Sequence, residues 1–103
     1  MTEQLDDAFY QRADAHIHLA NDQAAGAPHE MVNASLLFSA ARFSAFVSAR
    51  GFASGESMAA KRQETVDYFV SGFRQMLEGN LDAYIGNFDA YMRPDARDGG
   101  QET

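Results

Sequence analysis

The chain has 103 residues, 46% of them hydrophobic, and a formal net charge of −7 from 15 acidic and 8 basic residues. At this length we expect one domain that buries roughly 65% of the surface of its unfolded chain. The acidic balance argues against binding to nucleic acid or to anionic membrane surfaces, because both attract basic proteins. The sequence has no cysteine, which excludes disulfides and thiolate chemistry. Its first ten residues, MTEQLDDAFY, lack the apolar segment of a signal peptide, so we expect a cytoplasmic protein.

The apolar pattern predicts an all-α fold, a small bundle of three long antiparallel helices and a short C-terminal helix. We expect a single domain over residues 1–92 and a flexible polar tail over residues 93–103. The first helix is predicted from about Glu3 to Ala24, since its apolar residues recur every four positions at Leu5, Phe9, Ala13 and Ile17. Gly26 and Pro28 then mark a helix end and a new helix start.

The second helix is predicted from about Pro28 to Arg50. Its residues are apolar or small nearly all round, so we expect it to be the most buried element, with Phe43 almost fully buried. The segment also carries charges and serines, and we therefore do not interpret it as a membrane span.

The third helix is predicted to start after Ser54 as its N-cap and to bury Phe73. Its apolar phase slips by one residue near Gly79–Asn80, which predicts a break there and a short fourth helix to Met92. This last segment nearly repeats itself, as NLDAYI and then NFDAYM seven residues later. Seven residues are nearly two helical turns, so the pattern favours a docking helix over a recognition element that is used twice.

One polar cluster could carry chemistry. Four of its members lie on one side of the first helix, and the fifth is the only charge between Glu30 and Arg50: the set is Asp14, His18, Asn21, Asp22 and Arg42. A solvated pair on the surface is the plainer interpretation of Asp14 and His18, and a metal or anion site is the alternative. His16 and His18 form an HxH pattern, but they point to opposite sides of a helix. No cofactor motif is present, and we expect no cofactor.

Three segments carry a resemblance to a known family: FYQRADAHIHLAN over residues 9–21, SLLFSAARFSAFV over 35–47, and the pattern from Tyr68 to Met92 that ends in NLDAYIGNFDAYM. Together they resemble a family of small bacterial proteins that is known only as a domain of unknown function. The resemblance implies a bacterial, cytoplasmic, helical protein, and it assigns no catalytic residue.

Two classes of function are left by these observations. Eight Phe, four Tyr and five Met are many for so small a bundle, and surplus aromatic and Met side chains are typical of partner surfaces. The first hypothesis is therefore a non-enzymatic interaction module that forms a homo-oligomer, such as a homodimer, or binds a small protein partner. The second is a small-molecule or metal-binding protein that uses the polar site around Asp14, His18 and Arg42.

Overall fold

The structure is a computed structural model that describes residues 6–93. Within that range the chain is all-α, as predicted, and has no strand; its helices are α1 (Asp7–Gln23), α2 (His29–Ala49), α3 (Gly55–Ala60), α4 (Arg62–Gly86) and α5 (Phe88–Met92). The predicted start of the first helix at Glu3 and the tail beyond Arg93 lie outside the described residues. The contacts of the chain divide into two units, Met1–Gly51 and Phe52–Thr103, and each is described by itself. A single domain over residues 1–92 stays a prediction.

In the first unit, the helix ends follow from local chemistry. Asp6 caps α1, because its Oδ1 accepts a hydrogen bond of 3.0 Å from the backbone N–H of Phe9. Asp7 follows in the first turn, where the helix dipole favours negative charge. Pro28, with φ −60° and ψ 146°, precedes α2, and proline is suited to this position because it has no N–H to leave unpaired. α1 thus begins at Asp7, after the predicted start near Glu3, and α2 begins at His29, next to the predicted start near Pro28.

α1 covers α2 mainly near the connection between the two helices. Val32 is 7% exposed and is the one buried residue in the described part of the chain. Other residues near this connection are half-buried, namely Ala20, Ala24, Ala27 and Leu36. The prediction of a deeply buried second helix is therefore wrong for this structure, and Phe43 is 65% exposed. Apolar periodicity identifies which side of a helix is apolar, but it does not say what covers that side.

In the second unit, the predicted third helix begins as expected and is then interrupted. Ser54 Oγ accepts from the backbone N–H of Ser57 at 3.1 Å, and Ser57 Oγ accepts from the N–H of Ser54 at 3.3 Å, which closes a capping box. The helix is then interrupted at Lys61, where φ is −109° and ψ is 13°. Thr65 Oγ1 donates to the carbonyl of Lys61 at 2.9 Å, a side-chain bond that is often found where helices bend. The predicted long helix is thus two helices, α3 and α4.

The predicted break at Gly79–Asn80 is wrong, because α4 continues through both residues to Gly86. Asn80 does not cap a new helix; its Nδ2 donates back to the carbonyl of Met76 at 2.8 Å. The break comes one repeat later at Asn87, which has φ −129° and ψ 34°, although Asn87 Nδ2 makes the same kind of bond to Ala83 at 2.8 Å. An interruption near a helix end removes fewer cooperative backbone hydrogen bonds than one in its interior, which explains why the second position breaks and the first does not.

An aromatic pair connects the short helix α5 to α4. The rings of Tyr84 and Tyr91 meet edge to face, with centroids 4.7 Å apart, across the break at Asn87. At the other end of α5, its C-cap Arg93 pairs with Asp89 at 2.8 Å and lies 5.6 Å from the centre of the Phe88 ring. The repeated segment is therefore a helical end with a bend between its copies. Phe73 of α4 is 46% exposed, so its predicted burial is also wrong for this structure.

Candidate functional site

The polar side of α1 carries four of the five residues that the sequence singled out. Asp14, His18, Asn21 and Asp22 all lie within α1, and all are exposed. Their spacing places them along one side of the helix, as predicted, because residues three and four apart are neighbours on a helix surface.

The structure does not join these side chains to one another. Among residues 6–93, the ion pairs within 4.0 Å connect Lys61 to Glu64, Arg74 to Glu78 and Arg93 to Asp89. In the same range, no group of three or more His, Asp or Glu side chains is arranged to hold a metal ion. A functional cluster on α1 therefore stays a prediction, and the geometry adds no contact in its favour.

Arg42, the fifth residue, lies in the second half of α2 and is exposed. Within the described part of its own unit it has no carboxylate within the distance of an ion pair. The surroundings of Arg42 are apolar or small, and this makes the surface of α2 the more informative feature of the first unit.

One side of α2 forms a continuous exposed surface. At 100° per residue, five side chains fall within about 60° of arc: Met31, Phe38, Arg42, Ala45 and Ala49. All five are exposed, and Met31 and Phe38 expose 63% and 65% of their surface. We call these five residues the outer stripe. Apart from Arg42 it is apolar, and it combines two large side chains in its first half with two alanines in its second.

A second apolar surface lies about 140° further round α2. It consists of Val32, Leu36, Phe43 and Val47, which we call the inner stripe. Val32 is buried and Leu36 is half-buried, whereas Phe43 and Val47 remain 65% and 42% exposed. The two stripes together make α2 apolar on opposite sides, so packing on one side alone leaves the other in contact with solvent.

By length and composition alone, α2 is also the one helix of the described chain that could cross a membrane. It has 21 residues and a mean hydropathy of 1.2 over the most apolar window. The same criterion is met by core helices of soluble proteins. Only 6% of that window is buried in this structure, so α2 has more apolar surface than its own unit covers.

The sequence held a signal for the outer stripe that the search for chemical motifs missed. Met31, Phe38 and Ala45 stand seven residues apart, which is the spacing of a helix seam. The exposure of Met31 and Phe38 in the structure separates the two surfaces.

The helices and the exposed apolar surface of α2 define a small all-α protein, and residues 6–93 show no recognisable catalytic arrangement. Residues 9–85 match the family described as "Protein of unknown function (DUF3144)", and the chain belongs to that family. The match runs from α1 nearly to the end of α4 and stops before the second copy of the C-terminal repeat. The description of the family gives no activity, so a proposal about function depends on the surface of the molecule.

A solved structure shares this fold. It is the NMR structure of the protein NB7890A from Shewanella sp., which is 39% identical in sequence and aligns with a TM-score of 0.73. The alignment covers 84% of this chain and 92% of that one. No curated protein matches the chain significantly.

Proposed function

We propose that this protein is a small cytoplasmic interaction module without catalytic activity of its own, and that it works as a homo-oligomer. The observation that carries the proposal is the exposure of its large apolar side chains. Val32 is the one buried residue among residues 6–93, while side chains as large as Phe38, Phe43 and Tyr68 are 65–70% exposed. Exposed apolar surface on this scale marks a site of association in soluble proteins.

Each unit by itself has a limited source of stability. Burial of apolar surface stabilises a fold by roughly 25 cal/mol per Å², and it is the main term that offsets the loss of chain entropy. A unit of about 50 residues has little of this stabilisation even when well packed. Helices held by so few contacts are marginal in water. We infer that the long helices gain much of their stability from a partner that covers their apolar sides.

We propose that this partner is another copy of the same chain. Burying apolar surface between copies makes the folded state more stable as protein concentration rises, by mass action. The short connections between helices favour antiparallel neighbours. We therefore also propose that the three long helices predicted from the sequence pack antiparallel.

Sedimentation equilibrium combined with thermal melts at several protein concentrations tests the proposal. We expect a mass that is a multiple of 11.3 kDa and a melting temperature that rises with concentration. A fully helical monomer at every concentration, with a melting temperature independent of concentration, would refute it, because each chain would then cover its own apolar surface.

A further inference from the structure

We propose that two copies of this chain dock through the outer stripe of α2, with the two α2 helices antiparallel around a two-fold axis level with Ala40. The proposal rests on the homo-oligomer proposed above and adds the surface and the geometry. Four observations carry it: the apolar character of α2 on both sides, the arrangement of large and small side chains, the exposed area and the distribution of charge.

The first observation is that α2 is apolar on opposite sides. A helix with this pattern is stable when neighbours surround it. Among the described residues of its own unit, α1 is the one other helix. A single helix covers one side of α2 and leaves the opposite side open to a further neighbour. The α2 helix of a second copy supplies such a neighbour.

The second observation is that the outer stripe is complementary to itself. Met31 and Ala49 are both nine residues from Ala40, and Phe38 and Arg42 are both two residues from it. In an antiparallel pair, each large side chain therefore lies level with a different residue of the other copy: Met31 with Ala49, and Phe38 with Arg42. Small side chains at Ala45 and Ala49 let the two backbones approach closely. A two-fold interface requires this kind of self-complementarity.

In this arrangement Arg42, the only cation between Met31 and Ala49, contacts Phe38 of the other copy. A guanidinium over an aromatic ring is held by the negative face of the ring, and the attraction strengthens when both groups are removed from water. The two-fold axis makes this contact twice. In a parallel pair Phe38 would meet Phe38 and Arg42 would meet Arg42, which sets two like charges against each other.

The third observation is the area available. An aromatic side chain buries about 150–250 Å², and Phe38 and the flanking Phe46 are 65% and 58% exposed. Together with Met31 at 63% and the neighbouring alanines, this side of α2 offers at most roughly 600 Å² per copy, or about 1,200 Å² for the pair when all of it is covered. That total reaches the lower end of the range for a stable interface.

The fourth observation is charge. The chain carries a net charge of −7, so two copies repel each other when their acidic surfaces meet. Between Met31 and Ala49, Arg42 is the only charged residue. The outer stripe is thus a surface on which two acidic chains can approach without bringing carboxylates together.

Cysteine cross-linking of the full chain tests this geometry, because the sequence has no native cysteine. Three samples are treated with a short bismaleimide: Met31→Cys alone, Ala49→Cys alone, and an equimolar mixture of the two. The proposal predicts at least tenfold more cross-linked dimer in the mixture than in either single variant. The matched control is a mixture of Asn33→Cys and Val47→Cys, which stand at equal distances from Ala40 on the other side of α2, and it should give no more dimer than its single variants.

Each other outcome overturns the proposal in a recognisable way. Cross-linking of the single variants with themselves indicates a parallel pair, and equal cross-linking of the control mixture indicates the inner stripe. An oligomer by sedimentation without a Met31–Ala49 cross-link refutes this geometry and leaves the proposed homo-oligomer intact, whereas a folded monomer refutes both. Flotation of the protein with phosphatidylcholine vesicles, with loss of the cross-link, shows that lipid and not a second copy covers the stripe.

Discussion

The polar side of α1 and the outer stripe of α2 lie in the same unit and differ in what they leave unsatisfied. Asp14, His18 and Asp22 are charged or titratable groups in contact with solvent, and water satisfies such groups at little cost. Met31 and Phe38 are apolar groups in contact with solvent, and water does not satisfy them. Residues that look reactive in a sequence therefore need not mark its functional surface, and here the larger free energy is available on the apolar side.

The largest effect is expected from a charge placed in the centre of the outer stripe. Phe38→Glu would put an unpaired carboxylate into the proposed interface and remove its main aromatic anchor, so we expect a loss of at least about 2 kcal/mol of association free energy. Sedimentation equilibrium would show dissociation, with helicity followed by circular dichroism. Ser39→Glu is the control, since its side chain points about 100° away; equal loss of assembly in both variants would show that the interface is not confined to the stripe.

A smaller effect is expected where the stripe needs a small residue. Ala45→Leu would hold the two helices apart and should weaken association by about 1–3 kcal/mol, the usual cost of overfilling a packed contact. Ala41→Leu lies about 40° outside the stripe and should cost less. If Ala45→Leu associates as tightly as the parent protein, close approach of the helices at Ala45 is disproved.

Arg42 should contribute less again. Arg42→Gln removes the proposed contact with Phe38 of the second copy, which is worth about 0.5–2 kcal/mol depending on how dry the contact is. A double-mutant cycle with Phe38→Leu, measured by sedimentation, isolates the interaction of the two side chains. Strict additivity of the two substitutions would contradict the contact between Phe38 and Arg42.

The smallest effect is expected on the polar side of α1. A solvated pair one turn apart on a helix is worth roughly 0.2–0.5 kcal/mol, so His18→Gln should leave the melting temperature and the oligomeric state almost unchanged. Thermal melts at low and high salt measure this difference. Uptake of one Zn²⁺ per chain or per dimer by tag-free protein, abolished by His18→Gln, would reverse the comparison between the two surfaces.

The all-α class and some helix boundaries could be predicted from local chemistry. The cap at Ser54 and the start of α2 depend on residues within one turn, so a short stretch of sequence determines them. The position of the break near the C-terminus could not be predicted in this way. Gly79–Asn80 and Gly86–Asn87 are the same pair of residues, and both asparagines make the same bond to the preceding turn. Their distance from the helix end is one feature that distinguishes them.

Burial could not be predicted from the same patterns. The spacing of Phe43 and Phe73 identifies apolar sides of α2 and α4, and these helices exist. Whether these sides are buried depends on contacts with distant parts of the chain or with other chains, and local spacing does not predict such contacts. The candidate cluster on α1 shows a similar limit. Asp14 and His18 have the predicted helical spacing, but this spacing does not by itself predict a contact between their side chains.

The edge-to-face contact of Tyr84 with Tyr91 gives this protein a built-in optical probe. The chain has four tyrosines and no tryptophan, so tyrosine supplies its emission, and no stronger chromophore hides a change at one pair. The two rings lie on opposite sides of the bend at Asn87, and opening of the bend separates them. The movement of α5 relative to α4 can therefore be followed in the unlabelled protein by near-ultraviolet circular dichroism and fluorescence lifetime, independently of assembly at α2.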